Sequence, residues 1–533
     1  MPRILLVGID GASPTLLRRW MEAGELPTLA ELCEAGCFGP LRSTPNMTSP
    51  SAWTSMSTGV QPGRHGIFNF FDRVPGTPRF RLSTASVRCA EPWWLIASRA
   101  GRRVAVLNVP CSWPADAING VQVAGWLAPS PRAPGFTHPP ELADELAARS
   151  GGYPLHSDVQ RLVAAHRHGA ACRRILTNLR RKAEVAAELL ARERYDLMTV
   201  VFTDTDAAQH YYLHLSDPAH PQHDPSLAEG VGDVVLAAYR EVDRALARLI
   251  DAGEPDVVLV ASDHGARPAH RGELYLPRLF DALGWQARRR GLLRWVAGRL
   301  GRIIPAGLKH RVAARRRDLA SELLAGDIAW ERTRAFSLLV GGRADAWLNV
   351  AGRDERGLLP EAEVRQMRQE IREVLHSCRS AATGERLIER VTAREELYDG
   401  PWVAFAPDML VRWCEGLRPI RGLRHGQTLI DRPEQPPLQT GSHAPEGVFI
   451  ASGSGIRSGA ALRDASICDV AATLLHLSGL TIPGYFDGRV VAEVLREPAE
   501  AQMDGRARLP ERAGMANAVE PRVAQRLRQL GYL

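Results

Sequence analysis

The chain has 533 residues, of which 45% are hydrophobic and 24% charged, with a formal net charge of +7. That apolar fraction excludes intrinsic disorder, and the length implies two to four domain-sized units or one large domain with insertions. Eight scattered cysteines exclude a disulfide scaffold, and the basic excess is local: eleven Lys or Arg and no acid lie between Arg288 and Arg317, which leaves −4 for the rest.

The first element, Ile4 to Val7, is an apolar run ended by Gly8 and followed by Asp10. It reads as a buried parallel strand and is too short for a signal sequence. No stretch approaches the roughly 18 uninterrupted apolar residues of a membrane span, so a soluble cytoplasmic protein is expected. After the helical pattern "TLLRRWMEAG" comes "TPNMTSPSAWTSMSTG", Thr44 to Gly59. Its hydroxyls around Pro50 suit first of all a capped helix start; the alternative is a nucleophile at a helix N-terminus, where backbone N–H groups favour anionic oxygens.

Three later segments repeat the strand pattern: "RRVAVLNVP", "YDLMTVVFTDTD" and "PDVVLVASDHG". Helical stretches such as "CRRILTNLRRKAEVAAELLARERY" separate them. This alternation predicts an α/β fold, a mostly parallel sheet sandwiched by helices, with ligands gathered beyond the carboxyl ends of the strands. From about residue 284 to 320 the chain turns basic, amphipathic and helical. We read this as an insertion forming a solvated cap, with contact between the 288–317 segment and an anionic surface as the alternative. Nucleic acid is not expected, because no aromatic stacking pattern accompanies the charge.

Beyond it, "RADAWLNVAGRDERG" predicts a strand and turn, and "EAEVRQMRQEIREVLHSC" a solvent-facing helix. "PDMLVRW" and "GVFIASG" predict strands, and "ICDVAATLLHLSGL" a buried helix. The expected organisation is a core in two parts, 1–281 and 401–495, interrupted by an inserted region at 282–400 and followed by a linker and terminal helix at 496–533.

Asp206 and His210 stand four residues apart and share one helical face within reach of a cation. His214 continues that face, and Asp204 is a neighbouring alternative. Asp263 and His264 end a very apolar strand; adjacent residues reach one site only where the strand has broken, and Gly265 permits the break. His443 is a lone histidine before a strand. Singly, each reads as a capping Asp or a satisfied His. With Asp10 they supply oxygen and imidazole ligands suited to two borderline divalent ions, and a nearby hydroxyl would complete a site for displacement at phosphorus or sulfur.

The order "GIDGA", "TSPSAWTSMSTGVQPGRHGIFNFF", "DTDAAQH", "SDHG", "GSHAPEG" resembles the alkaline phosphatase superfamily, and within it the type I phosphodiesterase and nucleotide pyrophosphatase branch. The likeness runs from Ile4 to about Gly488 and extends to "DGRV". It implies Thr48 as nucleophile, one metal held by Asp10, Thr48, Asp263 and His264, and a second by Asp206, His210 and His443. Zinc is the expected ion and manganese the alternative. The implied reaction hydrolyses a small-molecule phosphodiester or pyrophosphate through a phospho-threonine. Ser51, Asn46 and Asn69 are candidates for binding a phosphate oxygen, while His65 is assigned to packing.

Four other functions fit less well. A sulfatase needs Cys or Ser at position 48 and an Arg where Ala52 stands. A phosphomonoesterase or phosphomutase shares the core, but for a mutase neither of the two lysines, Lys182 and Lys309, adjoins a motif. A non-catalytic scaffold would be expected to lose ligands, and every ligand position is filled.

Overall fold

The computed structural model describes residues 2–149, 152–155, 157–289, 319–433, 438–497 and 500–510. Nearly all of the basic segment and the expected terminal helix lie outside the described residues. The described residues form two compact units. The first comprises Met1–Ile67, Ser83–Pro268 and Leu438–Gly514; the second comprises Phe68–Leu82 and Ala269–Pro437.

In the first unit the apolar runs become strands: β1 (Ile4–Ile9), β2 (Cys37–Arg42), β3 (Val104–Leu107), β4 (Gly120–Val123), β5 (Thr137–His138), β6 (Leu197–Phe202) and β7 (Val257–Ala261). β8 (Gly265–Pro268) and β9 (Gly441–Ala444) form a separate antiparallel ribbon, and β10 (Glu446–Gly453) follows. Eight strands make the main sheet in the order β2-β10-β7-β1-β6-β3-β4-β5. The five from β7 to β4 are parallel, whereas β10 runs antiparallel to both its neighbours and β5 to β4. The sheet is therefore mostly parallel, as the alternation of elements predicts.

The helices that cover it include α1 (Pro14–Glu22), α2 (Pro27–Ala35), α3 (Ser49–Thr58), α4 (His168–Arg192), α5 (Asp204–Ser216), α6 (Val234–Gly253) and α7 (Ile467–Leu477). Side chains alternate across a strand, so β1 feeds two cores. Leu5, Val7 and Ile9 pack with α1, α2, α4 and α6; Ile4 and Leu6 pack with α3 and α7. Every residue of β1 is buried, which is why its sequence lacks a polar alternation. Asp10, Asp204, Asp206 and Asp263 then fall just past the carboxyl ends of three adjacent strands, β1, β6 and β7.

The second unit holds an antiparallel sheet of Ala335–Val340, Arg343–Leu348, Met409–Trp413 and Ile388–Ala393, backed by the helix Val364–Ser377. That helix buries Met367, Ile371 and Leu375 and exposes its charged face, as its spacing predicts. The unit is wider than the 282–400 span read from composition. "PDMLVRW" pairs with Ile388–Ala393 and with Arg343–Leu348 instead of joining the main sheet, so residues 401–437 belong here.

Candidate active site

Thr48 owes its position to a sharp turn after β2. Met47 N donates to Thr44 O at 3.0 Å, and Met47 takes a left-handed φ of 48°. Thr48 follows in extended conformation, φ −100° and ψ 134°, as the N-cap of α3, with Pro50 in the first turn. A threonine N-cap ordinarily spends its hydroxyl on the helix's own N–H groups. Here it makes no such bond; its Oγ1 accepts from Asn46 Nδ2 at 3.3 Å. Ser51 Oγ donates to Asn46 Oδ1 at 3.3 Å, which turns the NH2 of that amide toward Thr48.

α3 is buried along its whole length, and three of its hydroxyls are satisfied by its own carbonyls. Thr54, Ser57 and Thr58 donate to the carbonyls of Pro50, Trp53 and Thr54 at 2.6–2.7 Å. Ser55 Oγ meets His65 Nε2 at 2.8 Å, and His65 is fully buried, in accord with its assignment to packing.

Six acids and histidines meet around the N-terminus of α3. His264 Nε2 lies 3.3 Å from Asp263 Oδ2, 3.5 Å from Asp10 Oδ1 and 3.3 Å from Ser49 Oγ. His210 Nε2 lies 3.2 Å from Asp206 Oδ2 and 3.1 Å from His443 Nε2. The rings of His264 and His443 stack with centroids 3.6 Å apart, joining the groups. Two triads have donor atoms mutually within 4.8 Å: Asp10/Asp263/His264 and Asp206/His264/His443.

Backbone carbonyls set the tautomers. His210 Nδ1 faces Gly441 O at 3.0 Å, His264 Nδ1 faces Gly265 O at 3.0 Å, and His443 Nδ1 faces Met47 O at 2.6 Å. A carbonyl only accepts, so each ring carries its proton on Nδ1 and turns the Nε2 lone pair inward. Gly265 works differently from the expected conformational break: a Cβ there would sit 2.1 Å from Glu446 O, so glycine allows a close approach of two backbones.

The electrostatics suit a cation. Burial raises Asp10 well above the usual carboxylate range, with Asp263 and Asp206 adding to it. Burial likewise pushes Asp263 to about 6 against the opposing pull of His264. Asp206 is held low despite burial, because His210, His443 and His264 surround it. Asp10 Oδ1 and Asp263 Oδ2 are buried and lack a hydrogen-bond partner. Two orphaned carboxylate oxygens facing imidazole lone pairs fit divalent cations and fit nothing apolar.

Trp53 Nε1 donates to the other oxygen of Asp10 at 3.1 Å, and Gly11 N to Asp263 Oδ1 at 3.2 Å. Asp204 does not join the ligand group; it accepts from Asn178 Nδ2 at 3.0 Å and pairs with Lys182 Nζ at 2.6 Å, all within the buried interior. Lys182 thus adjoins the Asp206 motif after all, through a helix contact that sequence separation conceals. His214 turns to Thr440 Oγ1 at 2.9 Å. Asn69 belongs to the second unit, where its Nδ2 donates to Val340 O at 3.0 Å.

With that geometry in place, comparison with known proteins is decisive on one point. The family described as type I phosphodiesterase/nucleotide pyrophosphatase matches residues 4–411. The chain belongs to that family. It is accordingly an enzyme of the phosphodiesterase and pyrophosphatase kind, within the alkaline phosphatase superfamily, and metal dependence comes with the family. His443 lies past the matched span and joins the site only through the fold.

Phosphonoacetate hydrolase from Sinorhizobium meliloti 1021, in complex with phosphonoacetate, shares the fold at TM-score 0.53 and 18% identity, covering 88% of this chain and 94% of its own. Human ectonucleotide pyrophosphatase/phosphodiesterase 5 does so at TM-score 0.50 and 13% identity, covering 93% and 100%. Direct comparison with curated protein sequences finds no match. Among the described residues of this phosphodiesterase family member, no helix is long and apolar enough to cross a membrane.

Proposed function

We propose that the enzyme hydrolyses phosphodiester or pyrophosphate bonds in small molecules through a phospho-threonine on Thr48. Asp10, Asp263, His264 and Thr48 would hold one divalent cation, and Asp206, His210 and His443 a second, zinc before manganese. One observation carries this reading: orphaned carboxylate oxygens and three inward Nε2 lone pairs meet beside a helix N-terminus whose threonine hydroxyl is not used as a cap. When bound, the cations supply Lewis-acid polarisation of the phosphoryl oxygens and acidify the hydroxyl.

Thr48 Oγ1 loses its proton to solvent and bonds to phosphorus as the bond to the leaving oxygen breaks, and that oxygen departs with the electron pair and is protonated by water. Asn46, already donating to Oγ1, supports the charge that develops there, and Ser51 keeps its amide oriented. The N–H groups at the start of α3 favour the anionic phosphoryl oxygens. Water then attacks phosphorus as the bond to Oγ1 breaks, and a proton from that water returns to Oγ1, which restores the Thr48 hydroxyl and releases the phosphoryl group with the water oxygen. Asn69 remains a candidate substrate contact on its place in the sequence alone, just after residues 64–66.

The test is a panel of phosphomonoesters, phosphodiesters, nucleotide pyrophosphates, phosphonoacetate and sulfate esters, assayed with zinc, manganese or magnesium. Highest turnover on diesters or pyrophosphates is expected; preference for monoesters or sulfate esters overturns the assignment. Thr48→Ala is expected to lower nitrophenyl phosphodiester hydrolysis at least about 1000-fold while metal content persists. Full activity would remove Thr48 from the mechanism.

A further inference from the structure

Three more imidazoles gather at the far end of α5, outside the ligand set: His214, His220 and His223. The bonds of His214 and His220 converge on Thr440, the residue just before β9. His214 Nδ1 lies 2.9 Å from Thr440 Oγ1. His220 Nε2 donates to Thr440 O at 3.1 Å while its Nδ1 accepts from Gln222 N at 3.0 Å, so this ring is neutral with its proton on Nε2. His223 Nδ1 donates to His214 O at 2.8 Å, tying the three together. Thr440 N donates to His210 O at 2.7 Å, and the next carbonyl, Gly441 O, takes the Nδ1 proton of His210.

We propose that His214, His220 and Thr440 form a clamp of positioning residues that places His443, and with it the Asp206/His210/His443 half of the metal centre. The proposal rests on the two-cation reading above. β9 pairs with β8 in the register Gly441↔Pro268 and Ala266↔His443, and His443 stands three residues past Thr440. Metal–ligand distances tolerate errors of only about 0.2 Å. Thr440 is fastened to α5 at its N and Oγ1, and at its O to His220 in the turn that follows the helix, so α5 sets the register of the strand for a ligand on the same helix, His210. Asp10 and Asp263, by contrast, come from the ends of β1 and β7. Loss of the clamp should therefore weaken one ion and spare the other.

The test uses the full chain, stripped with a chelator and titrated with zinc by calorimetry. Wild-type protein that binds fewer than two ions overturns the two-cation reading and the clamp with it. Given two ions in the wild type, Thr440→Val is expected to weaken one by about 10- to 100-fold and leave the other within about threefold. Thr440→Ser, which keeps the hydroxyl, is expected to bind both as the wild type does.

A second pair guards against a misfolded valine variant, detected by circular dichroism. His214→Leu should reproduce the selective loss, and His214→Asn, whose amide replaces Nδ1, should restore binding. Unchanged binding of both ions, equal weakening of both, or a serine variant as weak as the valine one overturns the clamp while leaving the two-cation reading intact.

Discussion

At the scale of single residues, the site works by denying polar groups their ordinary partners. Thr48 is an N-cap that does not cap, and Asp10 and Asp263 each keep one buried oxygen unbonded. His65 shows the opposite case, a polar group fully used. Burial, with Arg88 adding, pushes it down to about 3, against about 6.5 in an unfolded chain. Between those values the unfolded chain binds a proton that the folded chain refuses. Stability is thus fully present above about pH 6.5 and falls as the pH drops, by about 1.4 kcal/mol per unit for this one group. His65→Gln keeps a donor for Ser55 and removes the titration. Urea denaturation between about pH 4 and 6 should show a shallower pH slope for that variant, and an unchanged slope would contradict the assignment.

At the scale of elements, β1 and α3 are matched to one another at Gly8. A Cβ at Gly8 would lie 2.4 Å from the Trp53 ring, whose Nε1 holds Asp10. Gly8→Ala should displace the indole, cost about 1–3 kcal/mol of stability and loosen Asp10. Denaturant melts and the near-ultraviolet signal of tryptophan check this, and a variant as stable as the wild type would sink it. The strand and helix patterns that built this pairing were legible in the sequence, because β1 is buried on both faces and reads as an uninterrupted apolar run. The role of Gly8 was not, since nothing nearby in the chain announces that a tryptophan from another element will lie on it. Lys182 and Asp204 were hidden in the same way, 22 residues apart on α4 and α5 with β6 between them.

At the scale of the whole molecule, every proposed ligand lies in the first unit, although the ligands span Asp10 to His443. Metal should therefore stabilise that unit. A ligand present at about 1000 times its Kd adds roughly 4 kcal/mol to the state that binds it. Hydrogen exchange with and without zinc should show added protection at the ends of β1 and β7 and along α5 and β9. The strands Ala335–Val340 and Arg343–Leu348 of the second unit should not change. Protection confined to the second unit would refute the placement.

The alternation of apolar runs with amphipathic helices, the acids at strand ends and the order of the motifs are local properties of the chain, so fold class, family and candidate ligands could be read in advance. Which lone pairs face one another could not. His264 and His443 stack although 179 residues of chain separate them, and β9 takes its place from α5 through Thr440. Such contacts depend on how the sheet orders its strands and on which backbones approach closely. The same holds for Asn46 at the hydroxyl of Thr48, where a left-handed turn at Met47, and no pattern of residue types, aims the amide.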